Sequence, residues 1–430
     1  MGHMVGKDFY REYAKKIDGS QTRAPYDDKL LEILKTISSP KEVELLIKLP
    51  DSLKDLDELV KVTNLDKNQL SEKLKILCQK GLVMDLHLNN KCYYIPSPFI
   101  IGVYEYSMMR MGPKAEIKKY AEVFHAYLNN KNFFEGNFGH NEKISPMRVL
   151  PHEEAVENFT EILDYEKAEK IIKTQTKLAI SECACRHEQL HNGTKKCNNP
   201  LDTCSSFGWM ADYLIRNGFA KEVSQEQMLA NLARSKKLGL VLNADNVKNQ
   251  INFICHCCKC CCTAINGINK FGFINTLVTS NFIANNIPEK CIGCGLCQKL
   301  CPVNAIEMTD DSEGNKKPKI NKNLCLGCGV CGLKCPEKAI KLVHREQKVF
   351  CPETTFERVI LQCLERGTLQ NLIFDDPNKT SHRFMRGFVC GIIGFDPIKK
   401  TLMSNTFRPL FLATIKTGYK ITGKKWMIKI

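Results

Sequence analysis

Cys291-Ile292-Gly293-Cys294-Gly295-Leu296-Cys297-Gln298-Lys299-Leu300-Cys301-Pro302 recurs 34 residues later as Cys325-Leu326-Gly327-Cys328-Gly329-Val330-Cys331-Gly332-Leu333-Lys334-Cys335-Pro336. The two stretches match cysteine for cysteine: three thiols at intervals of three positions, a fourth four positions on, then proline. The accessory residues match as well. Gly293 and Gly295 correspond to Gly327 and Gly329, and Ala305-Ile306 to Ala339-Ile340. Three closely spaced thiolates wrap one tight loop around an inorganic core, and a fourth ligand must arrive from elsewhere. Glycines let the backbone come close and turn its N–H groups toward sulfur. Zinc usually takes its ligands from two separated pairs, a pattern that does not explain two four-cysteine runs each closed by proline.

Over residues 286–345 this repeat resembles the bacterial-type two-[4Fe-4S] ferredoxin domain, with all eight ligand positions and both prolines matched. The resemblance implies single-electron transfer by two [4Fe-4S] clusters. In that family the fourth cysteine of each run ligates the other cluster. It therefore implies Cys291, Cys294, Cys297 and Cys335 for one cluster, and Cys325, Cys328, Cys331 and Cys301 for the second.

Upstream lie ten more cysteines: Cys183, Cys185, Cys197, Cys204, Cys255, Cys257, Cys258, Cys260, Cys261 and Cys262. Six of them fall within eight positions, a density that packing of small apolar side chains does not produce by chance. Three readings are open: a further iron–sulfur centre, structural zinc, or a thiol relay. The first leads, with Cys183, Cys185, Cys197 and Cys204 expected to meet several of the later run. His187, His191 and His256 stand beside these thiols as candidate ligands or proton donors. Arg186 is a candidate partner for an anion or for the charge of a thiolate cluster. Ile251, Phe253 and Ile254 suggest that the later run leaves the end of a strand. The Cys-Cys-Gly repeat of heterodisulfide-reductase modules is absent, since Lys259 and Thr263 follow the two Cys-Cys pairs.

Further out, residues 28–99 read as a winged-helix-like module. Apolar spacing gives helices over 28–37 and 40–48, a third capped by Asp51 or Ser52, and a fourth over 67–80; a hairpin turning at Asn89-Asn90 follows. Eleven Lys and no Arg against eleven acidic residues make this module neutral. DNA binding needs phosphate neutralisation, so packing or protein docking is favoured over DNA. Residues 100–180 read as a helical connecting region and 181–285 as a helical cysteine-rich domain. Within the latter, helices run over about 209–216 and from Ser224, where Ser-x-x-Gln makes a capping box. A helix is expected over 354–372. Residues 346–430 form a C-terminal extension whose last part, 377–430, carries eight Lys and three Arg against Asp396 alone. Phe384, Phe388, Ile392, Ile393, Phe395, Leu410, Phe411 and Trp426 are interleaved with that charge. The tail fits a packed final layer, an acidic redox partner of the ferredoxin or flavodoxin class, or peripheral membrane contact.

With 430 residues and 23 cysteines, no export signal and no apolar run of roughly 20 residues, the chain reads as a multidomain α+β protein of a reducing, anaerobic cytoplasm. Residues 1–27 comprise a tag remnant, Met1 to Met4, and an N-terminal segment. The whole arrangement is similar to multidomain iron–sulfur proteins of anaerobes in which a winged-helix-like segment precedes cysteine clusters and two cubanes. That resemblance names no reaction; the leading reading of the residues is an iron–sulfur electron-transfer protein or oxidoreductase whose two clusters exchange electrons with an additional cysteine-ligated centre in 181–262. The alternative is a redox-sensing winged-helix DNA-binding regulator. No Gly-x-Gly-x-x-Gly follows a strand, so nothing marks a nicotinamide or flavin site.

Overall fold

The computed structural model describes residues 8–88, 90–110, 114–158, 162–376, 379–421 and 427–428. The tag remnant, the turn residue Asn89 and the tail residue Trp426 lie outside them.

Helical periodicity and caps build the N-terminal module. Helices Asp28–Ile37 and Pro40–Lys48 occupy the expected spans. Ser39 starts the second with a capping box: its hydroxyl accepts from the Glu42 N–H, and the Glu42 carboxylate accepts from the Ser39 N–H. Helices Leu56–Thr63 and Lys67–Gln79 follow, capped by Asp55 and Asp66. The first of these caps falls later than Asp51 or Ser52. Strands β1 (Lys54–Asp55), β2 (Val83–Leu88) and β3 (Lys91–Pro96) form an antiparallel sheet in the order β1-β3-β2. The inner part of β2 is buried near helix Gly208–Arg216, whose Tyr213 hydroxyl donates to the carbonyls of Cys78 and Val83.

The cysteine-rich region, expected to be helical, is built on a six-stranded antiparallel sheet. Its strands are β4 (Met147–Leu150), β5 (Leu178–Glu182), β6 (Asp202–Phe207), β7 (Lys221–Glu222), β8 (Val241–Asp245) and β9 (Phe253–Cys257), in the order β4-β8-β9-β6-β5-β7. Alternation along a strand sends successive side chains to opposite faces, and here it sorts chemistry. Leu150, Leu178, Phe207, Leu242, Ala244 and Ile254 share one apolar face with Met228 and Leu232 of helix Gln225–Leu238 and with Ile171 and Ile172 of helix Ala168–Lys173. The register places Cys204, Cys255 and Cys257 on the opposite face.

The segment that carries the cysteine repeat consists of two antiparallel ladders. Strand β10 (Phe282–Asn286) pairs with β13 (Ile340–His344), and β11 (Ile306–Asp310) with β12 (Lys316–Ile320). Short helices Leu296–Leu300 and Val330–Leu333 follow the two cysteine loops. This unit docks on the large sheet: the His152 N–H donates to the Cys328 carbonyl at 2.9 Å, and the Ser280 hydroxyl to the Gly327 carbonyl at 2.7 Å. One apolar core unites Cys257, Cys262 and Ile265 with Cys301, Cys325, Cys328 and Cys331.

The helix expected over 354–372 is two, Thr355–Glu365 and Leu369–Ile373, parted at Gly367, whose φ is +68°. Three tail helices follow: Thr380–Ile393, Asp396–Met403 and Arg408–Ile421. Leu412 packs with Phe356, Ile360 and Leu364, while Phe384, Phe388, Phe395 and Leu410 stay exposed. No helix among the described residues is long and apolar enough to cross a membrane. The molecule is thus a mixed α+β assembly of several units.

Candidate metal centres

The two ferredoxin loops have the same local build. Gly293, Gly295, Gly327 and Gly329 all have φ between +70° and +79°, the left-handed region that favours glycine. Cys291, Cys294, Cys297 and Cys335 line one small cavity with Pro336. Cys301, Cys325, Cys328 and Cys331 gather in the buried core. Backbone N–H groups point at sulfur in both repeats: Ala305 to Cys301 Sγ at 3.1 Å and Ala339 to Cys335 Sγ at 3.3 Å. Such N–H···S bonds tune cluster potentials, and the donor sets fit cubane clusters. Burial separates the two ligand sets, each of which draws its fourth cysteine from the other repeat. Cys294 is exposed, and Cys291, Cys297 and Cys335 are half-buried; the other four cysteines are only 6–8% exposed.

The ten upstream cysteines do not form one set. Cys197, Cys258, Cys260 and Cys261 bring their Sγ atoms within 4.8 Å of one another. Individual separations are 3.8 Å (Cys197–Cys258), 3.9 Å (Cys197–Cys261), 3.8 Å (Cys258–Cys260) and 3.4 Å (Cys260–Cys261). Strand β9 ends at Cys257, and the turn at Lys259-Cys260 folds the next thiols back beneath Leu240. Four thiolates at ~2.3 Å from a tetrahedral ion stand about 3.8 Å apart, so this geometry fits a single metal ion. Hydrogen bonding from Cys261 holds the Cys258 thiol low, at about 5, and the same bond raises Cys261.

Cys183, Cys185, Cys262 and Cys257 neighbour one another in that order, and Cys204 neighbours Cys255 across β6 and β9. Cys183, Cys185, Cys197 and Cys204 were expected to meet several of the later run; the structure divides those meetings, Cys197 joining the later turn and the other three the sheet face. The histidines are engaged elsewhere. His256, one position out of phase with Cys255 and Cys257, faces the helices and meets Ser205 Oγ at 2.9 Å; burial pushes its pKa down to about 3. His187 meets the Met108 carbonyl at 2.6 Å and His191 at 3.0 Å. Arg186 is fully buried, with Nη2 on the Thr203 hydroxyl and the His256 carbonyl. Burial opposes its charge, and the thiols of Cys183, Cys258, Cys257 and Cys185 outweigh that effect and raise its pKa. A further grouping, Asp85, His87 and Cys92, has its carboxylate engaged by Arg216 and Asn217.

Residues 290–339 match the family model described as a 4Fe-4S dicluster domain. No curated protein and no solved structure matches the chain. The family match and the clustered cysteines together establish an iron–sulfur domain with an electron-transfer role.

Proposed function

We propose that this is an iron–sulfur electron-transfer protein or oxidoreductase in which electrons pass between two [4Fe-4S] clusters and an additional cysteine-ligated centre in residues 181–262. Cys291, Cys294, Cys297 and Cys335 would hold the outer cluster, and Cys325, Cys328, Cys331 and Cys301 the inner one. A [4Fe-4S] cluster, when bound, supplies one-electron exchange at a potential set by burial and hydrogen bonding. The observation that carries this reading is the unequal burial of the two ligand sets. Cys294 is exposed beside Ile292, itself 66% exposed, whereas the inner set shares its core with Cys257 and Cys262. The outer loop is the port, and the inner set faces the middle cysteines.

The partner at the port is a redox protein of the ferredoxin or flavodoxin class. Residues 286–345 hold ten Lys plus Arg against six Asp plus Glu, which complements an acidic donor. The basic, aromatic tail extends that surface or lies on an anionic membrane. The N-terminal module serves packing rather than DNA. Its β2 is buried, and Lys67 on the outward face of its last helix pairs with Asp57 at 2.7 Å.

Anaerobic EPR titration tests the assignment. Wild-type protein is expected to show two one-electron cluster signals, with Cys294→Ala altering one and Cys328→Ala the other. A single signal changed alike by both substitutions would contradict two separately ligated clusters.

A further inference from the structure

The thiols outside the tetrathiolate turn face a chamber of their own. Register Ser205↔Ile254 sets Cys204 opposite Cys255, and Cys257 follows on the same face of β9. Cys183 and Cys185 enter from the start of helix Ala184–His191, and Cys262 from the cap of helix Thr263–Phe271. These six line a cavity of about 90 Å³ whose far wall includes Phe133 and Phe134. One ordered water needs only ~10–15 Å³. Of the tetrathiolate set, only Cys258 reaches this wall.

Arg186 also lines the chamber, with 0% exposure. Its Nε and Nη1 have no hydrogen-bond partner among the described residues, and its Nη2 is held only by a hydroxyl and a carbonyl. A guanidinium stays protonated, and a buried cation without a counter-charge is strongly disfavoured. The thiols of Cys183, Cys185, Cys257 and Cys258 line the same chamber as this guanidinium. Buried thiolates persist where a metal binds them.

We propose that Cys183, Cys185, Cys257 and Cys262 hold an iron–sulfur core separate from the Cys197, Cys258, Cys260, Cys261 site, with Arg186 as its buried counter-cation. The proposal rests on the electron-transfer reading above. Unlike the tetrathiolate set, these four sulfurs do not crowd within 4.8 Å of one another, which suits a multi-iron core rather than one ion. A [4Fe-4S]²⁺ core with four thiolates carries two negative charges, and Arg186 offsets one. Cys257 and Cys262 share the apolar core of the inner ferredoxin cysteines, so the chamber adjoins that set.

The test uses the full chain purified anaerobically, with iron, zinc and acid-labile sulfide measured in wild type, Cys185→Ala/Cys262→Ala and Cys258→Ala/Cys261→Ala. The first double variant is expected to lose about four irons and four sulfides per chain, and the second one metal ion and no sulfide. Because the first variant removes buried side chains, Arg186→Met and Arg186→Lys provide a second readout. Loss of the cation lowers the reduction potential of one signal, and lysine restores it in part. A wild-type sulfide content of eight overturns the proposal whatever the variants do, as does zinc in place of iron. If extra metal then disappears only in Cys258→Ala/Cys261→Ala, the chamber proposal fails alone. If no metal beyond the two [4Fe-4S] clusters is found at all, the additional-centre part of that reading fails with it, while electron transfer by the two clusters stands. Sulfide of eight together with an anion bound in an Arg186-dependent manner would make the chamber an anion site and overturn the metal assignment.

Discussion

Gly327 shows how tightly a single position can hold a cluster loop. A Cβ there would stand 2.1 Å from the Phe282 carbonyl oxygen and 2.3 Å from Ser280 Oγ, at a φ of +70°. At Gly295, a first-repeat glycine that corresponds to Gly329, the nearest atom is Met308 Cγ at 4.0 Å, with φ +72°. Both positions disfavour a side chain through φ, by about 1–2 kcal/mol; only Gly327 adds a backbone clash. Gly327→Ala is therefore expected to lose iron from the inner set and to lower the melting temperature, while Gly295→Ala retains iron with a shift of only a few degrees. Iron analysis with thermal unfolding under argon checks both, and equal behaviour of the two variants would contradict the burial difference. The 4Fe-4S dicluster segment was legible because its signal is local: cysteines and glycines sit within two short runs. The partition of the ten upstream cysteines was not. It depends on which strand face each thiol occupies and on the turn after Cys257, and both arise from pairings distant in sequence.

Elements divide in the same way. The helices of residues 28–99 were legible because amphipathic spacing, Pro40 at a helix start and the Asp66 cap are read within a few residues. The large sheet was missed because its strands carry little apolar alternation. Asp202-Thr203-Cys204-Ser205-Ser206-Phe207 looks like a polar loop, and β4 lies far upstream of its partner β8. Its strand character comes from nonlocal pairing. Two predictions belong here. Ile254, fully buried among Leu242, Phe207 and Leu232, anchors the apolar face, so Ile254→Ala is expected to cost about 2–5 kcal/mol in denaturant unfolding. Ser224 caps helix Gln225–Leu238, accepting from the Gln227 N–H at 3.2 Å while Gln227 Oε1 accepts from the Ser224 N–H at 2.9 Å. Ser224→Ala is expected to cost about 1 kcal/mol and to leave metal content unchanged. Iron loss in the Ser224 variant would show that this helix supports the metal sites more directly than packing on the apolar face implies.

At the scale of the whole molecule, charge and cluster position act together. With a formal net charge of +15 and an exposed Cys294 loop, the partner proposed at the outer loop is an acidic electron donor. The association rate with such a donor is expected to fall as ionic strength rises from 0.01 to 0.15 M, over which the screening length shrinks from ~30 to ~8 Å. Stopped-flow reduction measures it, and a salt-independent rate would exclude electrostatic docking. The most direct test of the central claim is the iron, zinc and acid-labile sulfide content of anaerobically purified protein. The two proposed [4Fe-4S] clusters would supply about eight irons and eight sulfides. The expected result is clearly more than eight of each, with one further metal ion unaccompanied by sulfide. Eight irons, eight sulfides and no other metal would leave the upstream cysteines as free thiols and contradict an additional centre.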